Sequence, residues 1–260
     1  MKYGFVKPEI APDQYILGAV GALPDTILQP DGQWDSYLPI YEPQFENFET
    51  WGCTCWGTLN AIEILLKRIE GVEYNYAERF PYNIVGIREP GSDPHTVCEV
   101  TRKNGLVPNN VLPMTSTYEE FTQPDPMTDK YLSIGRHWLS KYDFKHSWVF
   151  KGDVSKQEKT NRMMRELTLS ALCVSVTAWN KNGDNYVDNG LPNNHWCVCY
   201  GWTGQGWKIF DSYDHSTKIY SFDSEISFCK RFSITKREKA RSFIDFIKDI
   251  CFSLIKYLNF

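Results

Sequence analysis

Apolar residues in the first half of this chain recur at helical steps, and those in the second half follow the two-residue step of strands. From Cys53 to Arg68 the run CTCWGTLNAIEILLKR sets Trp56, Leu59, Ile62, Leu65 and Leu66 three and four residues apart, which predicts a helix with one apolar face. Thr50 is placed to cap its N-terminus, and Lys67 and Arg68 suit the negative end of its dipole. Cys53 and Cys55 thus fall in the first turn of a buried helix. Between Pro90 and Pro113 the pattern gives a Gly-Ser turn, a short helical stretch and the loop NGLVPNN. Residues 115–155 are polar and mixed and predict no definite element, whereas Lys156 to Leu169 reads as helical. Leu172 to Val176 then reads as a strand, followed by an Asn/Gly/Asp-rich loop from Asn180 to Asn194. HWCVCYGW and GWKIFDSY form two further strands joined by the turn Thr203–Gly206.

The ends of the chain differ from its middle. Residues 1–44 are rich in Pro, Gly, Asp and Gln and predict an extended arm wrapping a domain that runs to residue 235. Residues 236–260 form an amphipathic helix candidate, with Phe243, Phe246, Ile247, Ile250, Leu254 and Leu258 at helical steps. Its interspersed charges exclude a membrane span, leaving docking on the domain, on a protein partner or on a membrane surface. With 42% hydrophobic residues the chain has ample material for a core. A net charge of −4 argues against nucleic acid as a partner, since phosphate binding wants a basic surface. The N-terminus carries no apolar run of signal-peptide length, so the expectation is synthesis in the cytoplasm, with the eight cysteines as free thiols.

A thiol attacks only as its thiolate, which a helix N-terminus and a neighbouring imidazolium both favour. Cys53 and Cys55 lie at such a terminus. His195 begins the first strand of the hairpin and Asp211 ends the second, so the turn between them brings both to one edge of the sheet. There a carboxylate accepts the imidazole N–H, fixes the tautomer and stabilises the imidazolium. Taken alone, each cysteine is as readily core packing, and that is the reading for Cys197 and Cys199. Zinc fits poorly, because structural sites space their cysteines by two to four residues and residues 53 and 55 point about 200° apart on a helix. No metal or other cofactor is expected. His95, His137, His146 and His215 have no evident partner in the sequence.

The segment Gly52-Cys53-Thr54-Cys55-Trp56, with Asn194-His195 and then Gly201-Trp202, and Trp207 to Tyr213 ending in Asp211-Ser212, resembles the papain-like cysteine peptidases. The sixteen residues from His195 to Asp211 are close to the interval from His to Asn in that family, and Cys53 lies roughly 140 residues before His195, as the family signature has it. Weaker likenesses are Gly91-Ser92 at the place of a Gly-Gly turn lining the cleft, Asn104-Gly105 leading to Pro113, and the strand Cys173 to Ala178. Two registers remain open. One matches Cys55-Trp56 to the family's Cys-Trp pair. The other takes Cys53 as the nucleophile, which puts Glu63 where the family helix carries a buried glutamate, and the apolar face of the helix favours it. The family's oxyanion glutamine stands six residues before its nucleophile, where this chain has Asn47, and the nearest glutamine is Gln44.

The resemblance implies an α+β papain-like fold, with a helical half, an antiparallel sheet or barrel half and a cleft between them. It further implies a cysteine-type peptidase that hydrolyses peptide or isopeptide bonds of a polypeptide substrate through a thioester. Cys53, or Cys55, would be the nucleophile, His195 the acid–base, Asp211 its orienting group and Gln44, or Asn47, the oxyanion donor. Gly91, Ser92, Trp196 and Tyr213 would line the cleft. The rival readings are an inactive binding or structural protein on the same scaffold, and an amidase or acyltransferase using the same residues on a non-peptide substrate. By analogy with relatives that lack a signal and a pro-segment, a microbial or viral source and association with a virion or other assembly are expected.

Overall fold

The structure, a computed structural model, describes residues 4–9, 23–123, 128–152, 154–214 and 216–237. Five helices come first, α1 (Cys53–Glu70), α2 (Arg79–Val85), α3 (Pro94–Asn104), α4 (Tyr118–Phe121) and α5 (Asp129–Lys141). Strand β1 (Tyr142–Lys151) and helix α6 (Lys156–Leu167) follow, and the rest of the described chain is strands. These are β2 (Leu172–Val176), β3 (Asn180–Asn182), β4 (Asn185–Val187), β5 (His195–Trp202), β6 (Gly206–Phe210), β7 (Lys218–Ser221) and β8 (Phe228–Lys236). They make one sheet in the order β1-β8-β2-β5-β6-β7-β4-β3, antiparallel except where Tyr186 of β4 meets Tyr220 of β7. The fold is mixed helix and sheet, as the sequence pattern predicts.

Helix α1 is the axis of the molecule. Every residue from Cys53 to Leu66 is buried, because the sheet packs on one side and the smaller helices on the other. Leu59, Ile62 and Leu66 join the main core with Val174 of β2, Val198 of β5 and Cys229 of β8. Cys55 and Trp56 instead enter a second cluster with Tyr82, Val97 and Phe121. The helix ends at Gly71 in the left-handed conformation (φ 69°), whose N–H returns to Lys67 O, a common C-terminal closure. Its start differs from the sequence expectation. The N-cap is Gly52, with no side chain bonded to the helix, and Thr50 accepts from Gly52 N–H (3.2 Å) while donating to Gln44 O (2.9 Å). The intervening Trp51 has a positive φ (53°), which turns the Thr50 hydroxyl away from the helix and onto the loop before it.

Three other stretches hold elements that the pattern-based reading did not assign. The region 115–155 holds α4, α5 and all of β1. The loop 180–194 contains the hairpin β3–β4. Strand β8, sequence FCKRFSITK, sits between β1 and β2 in the sheet. Two of its three charged residues, Lys230 and Arg231, are buried in network contacts. Arg231 pairs with Glu166 (3.1 Å) and Asp25 (3.2 Å). Lys230 Nζ lies 3.0 Å from His95 Nδ1 and 3.2 Å from His146 Nδ1, over the Trp148 ring, and burial pushes its ammonium down to about 8. Two of the histidines without an evident partner in the sequence thus tie α3 and β1 to β8, and His146 Nε2 also meets Glu99 (3.0 Å). His215 and the tail beyond Arg237 lie outside the described residues. No helix among the described residues is long and apolar enough to cross a membrane.

Helices α3 and α5 touch through bare backbone. Gly105 has φ 73°, and a Cβ there would lie 2.0 Å from Gly135 O. Gly105→Ala combines a conformation that L-residues avoid with a backbone clash, so a loss of at least about 2 kcal/mol is expected. Urea unfolding of the variant checks this, and an unchanged midpoint would show that the two helices can separate at no cost.

Candidate active site

The site forms where the N-terminus of α1 meets the start of β5. The β2–β5 register places His195 opposite Val176, and the β5–β6 register pairs Val198 with Phe210. Asp211, the next residue, therefore falls diagonal to His195. Their side chains meet with Nε2 2.6 Å from Oδ1, both fully buried. The ring nitrogen not held by Asp211 is Nδ1. Tyr213 and Trp179 present edges to the imidazole at 5.4 and 5.7 Å between centroids.

Cys53 lies in this neighbourhood and Cys55 does not. A backbone hydrogen bond from Trp196, the residue after His195, reaches the Cys53 thiol, and Asp211 and Glu49 are charges near it. The charge that acts on Cys55 is Glu78, on the helical side. Burial, the largest cause, pushes both thiols well above the ordinary range. With the site closed in this way, Cys53 is held as a thiol. Glu63 is buried ten residues on, where it accepts the Tyr76 N–H at 2.8 Å.

Two residues that sequence reasoning missed shape the pair. Lys218, 1% exposed, places Nζ 3.0 Å from Asp211 Oδ2 and 2.7 Å from Asp214, and lies over the Trp179 ring at 5.1 Å. Burial raises the Asp211 carboxyl, but His195 first and then Lys218 outweigh it and hold the group below its usual range. The ammonium also offsets the charge that a carboxylate brings, so the Asp211–Lys218 couple offers His195 an acceptor of little net charge. Nothing in the sequence around Lys218 marks it, since its partner is seven residues earlier and across a turn. Trp179, which follows the strand β2, shields the same pair from solvent.

The loop before α1 carries the two amide candidates in opposite directions. Gln44 is buried beside the site, where Oε1 accepts from Ser212 Oγ (2.7 Å) and Nε2 donates to Tyr213 OH (2.7 Å) and Glu49 (3.3 Å). Asn47 turns outward and donates to Thr115 O (2.9 Å). Ser92 forms the opposite wall, with its hydroxyl 2.6 Å from Thr54 Oγ1. Trp196 is fully buried and packs toward Trp148 and Phe5 in the core, so it supports the wall from behind and does not line an opening.

An extended N-terminal segment bridges the surroundings of the site, with Phe5 in an isolated parallel bridge to Ser92. Ser92 N–H donates to Gly4 O (2.9 Å), Val6 N–H to Ser92 O (3.0 Å) and Phe5 N–H to Asn194 O (3.4 Å). The Phe5 ring stacks on Trp196 at 5.9 Å. The fit is close enough that a Cβ on Gly91 would lie 1.8 Å from Gly4 O, and one on Gly4 would lie 2.0 Å from Trp51 O. Residues 4–6 thereby join the helical wall to the residue preceding His195.

No protein-family profile and no curated protein sequence matches the chain. Solved structures do. The digestive procathepsin L 3 of Tenebrio molitor larval midgut aligns with a TM-score of 0.62 at 14% identity, over 89% of this chain and 76% of that one. A recombinant stem bromelain precursor gives 0.55 at 13% identity, over 87% and 78%. The clostridial cysteine protease Cwp84 gives 0.57 at 14%, over 78% of this chain and 57% of its own. These likenesses establish a papain-like cysteine protease fold, the one expected from the sequence. At such identities they speak to the fold alone.

Proposed function

We propose that the chain is a cysteine-type peptidase acting on a polypeptide through a Cys53–His195–Asp211 triad. The observation that carries this reading is the 2.6 Å His195–Asp211 pair at the start of β5, next to a thiol at the N-terminus of α1. In the reaction, His195 Nδ1 takes the Cys53 proton and Sγ attacks the substrate carbonyl. The imidazolium then gives that proton to the departing amine as the C–N bond breaks, leaving a thioester that water hydrolyses. Asp211 holds the Nε2–H throughout. Gln44 is the better placed of the two amides to face an oxyanion, once Tyr213 or Glu49 releases one of its N–H groups. No cofactor enters these steps.

A second reading, an inactive binding protein on the same scaffold, is favoured by one specific feature. All three side chains of the triad are buried and the Gln44 amide is already satisfied. Alkylation by dilute iodoacetamide over a range of pH, with each modified cysteine identified by mass spectrometry, decides between them. The peptidase reading expects Cys53 to react ahead of all other thiols below about pH 8.5 once the N-terminal segment is displaced, and to lose that lead in His195→Ala. A lead by Cys55 would move the nucleophile by two residues. No lead by any cysteine, with the segment displaced, would leave the binding-protein reading.

A further inference from the structure

The loop from Ile40 to Glu49 has two sides. Through Gln44 it faces Ser212 and Tyr213, and through Glu42, Pro43 and Glu46 it walls a separate pocket of about 310 Å³. Glu78, Trp56 and Phe121 close the pocket from the helical half. Glu78 is 5% exposed, yet its Oε1 is buried with no hydrogen-bond partner among the described residues, and the same is true of Trp56 Nε1, in a residue 2% exposed. Buried polar atoms are rarely left in this state without a reason. Glu42 stands opposite, with Oε1 held by the side-chain amides of Asn75 (2.6 Å) and Asn109 (2.9 Å), so its carboxylate is already oriented. Glu46 completes three carboxylates around one small cavity.

The chemistry of the lining narrows the ligand. The one cation on the wall among the described residues, Arg79, donates through Nε to Phe121 O (3.0 Å) and through Nη2 to Glu120 O. Three acids therefore face one guanidinium that is directed toward backbone carbonyls. Among the described residues no three His, Cys, Asp or Glu side chains converge closely enough to hold a metal ion. Much of the remaining surface is apolar, with Trp56, Phe121, Leu112 and Met114. Such a lining suits an alkyl stem beside a cationic head, and an indole or phenyl face adds attraction for the charge.

We propose that this pocket binds a primary ammonium or guanidinium group carried on an apolar stem, with Glu78 and Glu42 taking the charge. The head could belong to a free diamine or agmatine, or to a lysine or arginine side chain of a polypeptide. This site is distinct from the Cys53 centre and does not depend on its activity.

Calorimetric titration of the full-length chain with agmatine, with cadaverine, and with blocked tripeptides centred on arginine or lysine tests the proposal, with 1-pentanol and calcium chloride as controls. Saturable one-site binding is expected for at least one cationic probe. Stronger binding of the free amines would assign the ligand as a small molecule, and stronger binding of the tripeptides would assign it as a polypeptide side chain. Glu78→Gln keeps the shape of the wall and should weaken binding about tenfold to hundredfold, the range for losing one charge-assisted hydrogen bond. The Trp56 indole N–H resonance should shift during the titration of the wild-type chain. Absence of saturable binding by all four cationic probes would overturn the proposal, as would equal binding by pentanol, occupation by calcium instead of amines, or undiminished affinity in a folded Glu78→Gln variant.

Discussion

Removing residues 1–9 should raise the rate at which iodoacetamide modifies Cys53 by about a hundredfold at neutral pH. The three backbone hydrogen bonds that hold Gly4, Phe5 and Val6 to Ser92 and Asn194 contribute on the order of 1 kcal/mol each, and about 3 kcal/mol corresponds to roughly two powers of ten in the open population. The stacking of Phe5 on Trp196 adds to this. Opening also rehydrates the thiol, whose elevation comes first from burial, and so moves Cys53 toward the thiolate. Both effects act in the same direction. The internal standard is Cys55, which is buried in a different cluster and should keep its slow rate. If Cys53 and Cys55 accelerate together, the truncation has loosened the whole fold. If neither accelerates, the segment does not control access and the thiol is shielded by the body of the domain. Phe5→Ala in the full chain should give an intermediate rate, because it removes the stacked ring and leaves the backbone bonds.

The parts of this molecule that the sequence made legible are those where one physical signal dominates. Helix α1 follows from the spacing of its apolar residues, and the β5–β6 hairpin from two apolar runs around Thr203–Gly206. The hairpin in turn puts His195 near Asp211, so that pair could be expected before any coordinates. What stayed hidden depends on burial that no local pattern reports. Strand β8 carries Lys230 and Arg231 through the core, and two adjacent charges give no local sign of a buried strand until His95, His146 and Glu166 are seen to meet them. Strand β1 is buried on both faces over much of its length, which erases the alternation by which half-buried strands are recognised. The Thr50 cap failed for a different reason, since the positive φ of Trp51 is a backbone choice that residue type does not announce. Gln44 stands nine positions before Cys53 and still comes to rest on Ser212 and Tyr213, because the loop it sits in folds back on itself through Glu49.

Lys218→Met should destabilise the protein by about 3 kcal/mol near neutral pH, because it leaves the Asp211 carboxylate buried without the ammonium that balances its charge. The pH dependence has a definite sign. Asp211 is depressed in the folded state, so its contribution to stability is present above the unfolded carboxylate range and is lost as pH falls through its folded value. The gap between wild type and variant should therefore narrow in acid, where the carboxylate is protonated in both. A double-mutant cycle with Asp211→Asn separates the pair from the packing. If Lys218 serves to balance the charge of Asp211, the double variant should recover about 2 kcal/mol of the summed single losses, since a neutral amide no longer needs the ammonium. Additive losses would reduce Lys218 to a packing residue, and Asp211 would then have to be carried as a bare carboxylate beside His195.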